Sequence, residues 1–134
     1  MNPLAGLWLL LAPAFAQVDD LEGAGLDPIS RNLYMEGLTR ERQGSWARAA
    51  VAYGVVMGRD PTYAPAVVAY GRMKERLGDR AAAERAYRTL PMDADAVESL
   101  AQLILVEHPD EALLLARRGA AARNCIAQRC DHQL

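Results

Sequence analysis

GLTRERQGSWARAAVAY (residues 37–53) and GRMKERLGDRAAAERAY (residues 71–87) are the two stretches that decide the architecture. Laid on one another at an offset of 34 residues, Gly37 meets Gly71, Gly44 meets Gly78, Ala49 meets Ala83 and Tyr53 meets Tyr87. Each pair has a packing or turn-forming use. Glycine ends helices in a left-handed conformation, and small residues let two helices approach closely. Four coincidences at one offset point to a repeated helical hairpin, and a period of this size belongs to stacked helical repeats.

The flanking sequence continues the pattern. Asp27-Pro28 is a helix start, because Asp caps free amides and Pro is tolerated at the first helical position. Ile29, Leu33, Tyr34, Gly37 and Leu38 then recur at helical spacing. Gly44 is a stop and Ser45 the next cap. A second helix carries Trp46, Ala49, Ala50, Tyr53, Val56 and Met57 on one face, and Gly58 and Asp60-Pro61 end it. A third helix spans about 64–77. Gly78 and Asp79 repeat the stop and cap, and a fourth helix follows with Ala82, Ala83, Ala86, Tyr87 and Leu90 before Pro91 closes it. Asp93 caps a fifth, with Val97, Leu100, Ala101, Leu103, Ile104 and Leu105. Pro109 breaks that helix, and a sixth runs from about Asp110 to Arg123. No stretch alternates as a strand does. A length of 134 residues suits one domain. Half of the chain is apolar, mostly Ala, Leu and Val, with few aromatics, which suits helices packed through small side chains. The net charge of −2 leaves no basic excess for a phosphate backbone, so nucleic acid is not an expected partner.

The two ends read differently. Residues 1–16 have the form of a secretory signal: Leu4 to Ala12 is an apolar core, and Ala14-Phe15-Ala16 puts small residues where a signal peptidase reads. That stretch is shorter than the roughly 20 apolar residues a membrane span needs, so no stable membrane insertion is expected after cleavage. A bacterial periplasm or the exterior is the expected compartment. Residues 17–26, with Asp19, Asp20, Glu22, Gly23 and Gly25, read as a flexible acidic leader. The helical domain is then 27–123 and residues 124–134 form a tail with the only two cysteines, Cys125 and Cys130. In an oxidising compartment two cysteines suggest one disulfide. Free or intermolecular thiols and a metal site with His132 and Asp131 are the alternatives. A bridge requires the last helix to end near Asn124, because five helical residues put two side chains about 140° apart.

These residues resemble the tetratricopeptide repeat family. With Ser30 opening the first repeat, Leu33, Gly37, Ala49, Tyr53 and Pro61 fall where that family has a large apolar, a small, a small, an aromatic and a proline residue. With Ala64 opening the second, Val67, Tyr70, Gly71, Ala83, Tyr87 and Leu90 do the same. A third begins near Ala94, with Leu100-Ala101 in register and a shortened turn at His108-Pro109. Glu36, Arg40 and Lys74 depart from the pattern, and Pro91 cuts the second repeat short. The resemblance implies an all-α fold, antiparallel hairpins stacked as a short right-handed solenoid of two to three repeats. It also implies that Tyr53 and Tyr87 fill space towards the following hairpin, and that a protein segment binds along the concave face of the first helices.

On that face the resemblance places Arg31, Tyr34, Leu38, Glu41 and Arg42, then Pro65, Val68, Arg72, Glu75 and Arg76. The Lys and Asn of the family's carboxylate clamp are absent. What remains is an apolar floor of Tyr34, Leu38 and Val68 ringed by Arg31, Arg42, Arg72 and Arg76, suited to a partly acidic segment. The alternative is a solvated, self-paired face, with Glu41 near Arg42 and Glu75 near Arg72 or Arg76. Leu113, Leu114 and Leu115 span about 200° of the last helix, so at least one is expected at the surface as a contact for a partner or a second copy. For chemistry the sequence offers little. His108 sits at a helix break, Ser30, Ser45 and Ser99 sit near helix starts, and no phosphate loop, HExxH or paired-carboxylate spacing stands out. The expected protein is a non-enzymatic adaptor without cofactor. A small redox or metal-handling protein using the CxxxxC, or a structural subunit of a larger complex, is the alternative.

Overall fold

The computed structural model describes residues 23–131. The stretch expected to be an export signal, most of the expected leader and His132 lie outside the described residues. Six α-helices follow one another: α1 Pro28–Arg42, α2 Trp46–Arg59, α3 Ala64–Arg76, α4 Arg80–Arg88, α5 Ala94–Ile104 and α6 Pro109–Asp131. No strand occurs among the described residues, so the chain is all-helical there. Each helix packs on its predecessor, and α3 also touches α5.

Local chemistry explains the boundaries. The Asp27 carboxylate accepts from the amides of Ile29 and Ser30, at 3.0 and 3.2 Å. Gly44 and Gly78 are both left-handed, at φ 72° and 78°. After α1, the Gly44 amide donates to the Glu41 carbonyl and the Ser45 amide to the Arg40 carbonyl; after α3, Gly78 and Asp79 do the same to Glu75 and Lys74. This paired closure satisfies carbonyls that a helix end leaves open. Ser45 was expected to cap α2, but its side chain makes no capping bond. Asp79 has nearly the same backbone angles and does reach the Ala82 amide, because its side chain is one atom longer.

Other boundaries depart from expectation too. Gly58 lies inside α2. Without positive φ, a lone glycine weakens a helix and does not end it. Leu26, expected at the end of the flexible leader, is buried in the first core, and its amide closes a turn onto the Gly23 carbonyl, so the packed chain begins ahead of Asp27. α6 does not stop at Arg123. It runs to Asp131, because no Gly or Pro follows Gly119 and the stretch is rich in Ala, Arg and Gln. α4 is only 9 residues long against 14 for α2, ending ahead of Pro91.

The main packing device is a tyrosine ring set on a bare helix backbone. A Cβ at Gly37 would fall 2.5 Å from Cε1 of Tyr53, and one at Gly71 would collide with the Tyr87 ring. Each tyrosine therefore packs back onto the first helix of its own hairpin, where the ring enters the space a Cβ would occupy. It also shares a cluster with the helix that follows, Tyr53 with Ala66, Ala69 and Met73 of α3 and Tyr87 with Val97, Leu100 and Ile104 of α5. Arg59, the last residue of α2, bonds Ser30 and Asp27 at the start of α1, which fixes the antiparallel sense.

Two apolar clusters result. The first joins Leu26, Tyr34, Tyr53, Val56, Ala66, Ala69 and Met73. The second joins Tyr87, Val97, Leu100, Ile104, Ala112 and Leu115, with Val68 packed against it. α3 serves both.

Adding the missing methyl should discriminate between glycines. Gly37→Ala and Gly71→Ala are expected to destabilise the fold by about 1–3 kcal/mol each through overpacking. Gly58→Ala, with nothing within 4 Å of the added carbon, is expected to stabilise it by about 0.5–1 kcal/mol. Thermal unfolding followed by circular dichroism reads both, and a Gly37→Ala protein as stable as wild type would remove the ring seat.

Candidate functional site

The seat positions more than the ring. With its ring on Gly37, Tyr53 reaches past α1 and its hydroxyl donates to Glu41 Oε2 at 2.8 Å. Tyr87, seated on Gly71, donates likewise to Glu75. Glu41 and Glu75 are themselves 34 residues apart, so one Gly–Tyr–Glu unit is built twice. Arg72 lies between them: its Nη2 stands 3.7 Å from Glu41 Oε1, tying α3 to α1. That ion pair is long and Arg72 is 53 % exposed, so it adds little stability and leaves most of the guanidinium donors facing outward. On the α5 side, the Ser99 hydroxyl lies beside the Tyr87 oxygen.

Electrostatics follow from this packing. Burial is the largest cause raising both phenols above their ordinary range, and the adjoining Glu41 and Glu75 carboxylates add to it. Arg72 opposes the shift at both tyrosines, so one cation senses both units. At the start of α1, the Ser30 hydroxyl and amide, then the Ile29 amide and Arg59, hold the Asp27 carboxyl down to about 2.

The residues expected on the partner-binding face are only partly gathered. Tyr34 is buried, with its ring 5.6 Å from that of Tyr53 and 5.4 Å from that of Tyr63. Leu38 and Val68 are half-buried, Leu38 against the first core and Val68 against the second. The three apolar residues are thus wall as much as floor. Arg72 is central. Arg76 turns away and lies 4.5 Å over the Trp46 ring, at the turn end of α2. Arg31 is exposed, with its stem against Gly23, and Arg42 is exposed at the end of α1. Glu41 takes the Tyr53 hydroxyl and Arg72, and Glu75 takes the Tyr87 hydroxyl. A buried phenol needs an acceptor, and each glutamate is the one within reach.

α6 continues past Asn124 to Asp131, whereas the expected bridge required it to end near Asn124. Cys125 is exposed, and the side chain of Cys130 lies outside the described residues. Among the described residues, no three His, Cys, Asp or Glu side chains converge as a metal site. Nor is any helix there long and apolar enough to cross a membrane. Of the three consecutive leucines, Leu115 is buried while Leu113 and Leu114 are exposed.

Compared with known proteins, the chain matches no family model and no curated sequence.

A raised phenol has a definite pH consequence. The protonated tyrosine is the form the fold favours, so its contribution is fully present below the ordinary phenol value near 10 and is lost as pH rises through the higher folded value. Spectrophotometric titration should show Tyr53 and Tyr87 ionising late, together with alkaline unfolding. Glu75→Gln should bring Tyr87 down and leave Tyr53 late; ordinary titration of both phenols would contradict the geometry.

Proposed function

We propose that the chain is an adaptor of the tetratricopeptide type, holding a segment of another protein along the face of α1, α3 and α5. The observation that carries this is the doubled Gly–Tyr–Glu unit at the 34-residue period. A device that sets two successive first helices at one spacing and hangs a half-exposed arginine between them is suited to gripping an extended or helical segment. It holds two carboxylates in fixed hydrogen bonds, which favours presentation over proton transfer. The partner's chemistry follows from Arg72, Arg42 and Arg31 beside half-buried Leu38 and Val68: an apolar segment with acidic residues. The apolar run and small residues at 4–16 support export, and a role in holding or assembling an envelope complex fits that location.

The test is capture from a periplasmic extract with the chain immobilised, followed by titration of the captured protein or its peptide. Arg72→Leu keeps the aliphatic packing and removes the charge. It is expected to weaken binding by about tenfold or more, because a desolvated arginine–carboxylate contact is typically worth 2 kcal/mol or above. Arg85→Leu, on α4, is expected to leave affinity unchanged. Saturable binding insensitive to Arg72 would remove this face from the proposal, and catalytic turnover of the captured partner would replace the adaptor with an enzyme.

A further inference from the structure

Ile29, Val51, Val55 and Leu77 are exposed apolar side chains in the first half of the described chain, and a second group, Met92, Leu105, Val106, Leu113, Leu114 and Ile126, lies towards its C-terminal end. On α6, Leu113 and Leu114 are 54 % and 50 % exposed. Leu114 lies on the rim of a cleft lined by Tyr87, Pro91, Val97 and Leu115. That cleft continues past Arg118 to Met92, Ala121 and Ala122. It is open because α4 stops at Arg88. Relative to α2 it lacks 5 helical residues (14 less 9), about 7 Å of helix that would stand beside α6.

The charges around Leu114 have an order. Asp110, Leu114 and Arg118 follow at four-residue intervals and so lie one above another on α6. Glu111 and Arg117 flank them. Asp110, Arg117 and Arg118 are exposed, and none makes an ion pair among the described residues. Acid, leucine, base is a sequence that complements itself when reversed.

We propose that α6 is the contact between two copies of this chain, packed antiparallel about a twofold axis at Leu114. In that register a residue k positions before Leu114 faces the residue k positions after it on the other copy. Asp110 then meets Arg118, and the pair occurs twice because the interface is isologous, while Glu111 stays with Arg88 of its own copy at 2.9 Å. Leu114 packs on its own counterpart. Parallel packing would set acid against acid and base against base. A foreign helix would have to carry this charge order itself, whereas a second copy brings it by symmetry.

Sedimentation equilibrium on the full chain tests this independently of any partner on the α1–α3–α5 face. A dimer is expected at about 100 µM, dissociating on dilution and weakened by salt. Asp110→Arg and Arg118→Asp should each raise the dissociation constant at least about tenfold, since each puts like charges face to face twice. The double variant Asp110→Arg/Arg118→Asp should return to within about threefold of wild type. Helicity, read by circular dichroism, should hold throughout. Should a reversal unfold the chain, Leu114→Cys with Cys125→Ser and Cys130→Ser gives a second reading: on the axis it should oxidise to a covalent dimer. A monomeric wild type at that concentration, single reversals that dimerise as wild type does, a double variant no tighter than the singles, or failure of the Leu114→Cys cross-link would each overturn the proposal.

Discussion

A tyrosine ring resting on glycine is the contact from which the described structure takes its dimensions. Gly37 and Gly71 each sit mid-helix, where glycine costs about 1 kcal/mol against alanine. The ring that fills the gap is nearly fully buried in both cases, and burying a tyrosine contributes on the order of 4–6 kcal/mol. The exchange is favourable by several-fold, and it fixes how closely α2 can approach α1 and α4 can approach α3. The hydroxyl at the far end of each ring is then placed by the same contact, within reach of the glutamate on the first helix of its hairpin.

Polar connections across the first helices are consequences of that placement. Glu41 is held by Tyr53 and reaches Arg72; Glu75 is held by Tyr87. A carboxylate fixed by a buried phenol is a better anchor for an arginine than one free to rotate, since less side-chain entropy is lost when the pair forms. Arg72 is consequently oriented from the α1 side without being enclosed.

The helices, their turns and the repeat of Gly37 with Gly71 and Tyr53 with Tyr87 are legible in the sequence because they depend on local backbone chemistry and a fixed offset; that each ring rests on the glycine is seen only in the structure. Glu41 and Glu75 are placed on the face of the first helices by the resemblance, but their bonds to the phenols are not visible there, although they obey the same 34-residue offset. Charged residues on a helix surface look alike whether solvated or committed, and the phenol that commits them arrives 12 residues later in the chain. Arg76 was placed with Arg72 on spacing alone; a long side chain at a helix end has several directions open, and the Trp46 face captured it. The end of α6 was set eight residues short, at Arg123, because a change in composition was taken for a stop. Nothing there denies the backbone its next hydrogen bond.

α3 belongs to both apolar clusters, giving Ala66, Ala69 and Met73 to one and Val68 to the other. Neither cluster can therefore come apart without exposing side chains of the helix that completes its neighbour. A molecule of this length assembled from independent hairpins would melt in stages, each end fraying on its own. Here the central helix makes the loss of one half a loss to the other, so cooperativity is built into a single segment of 13 residues.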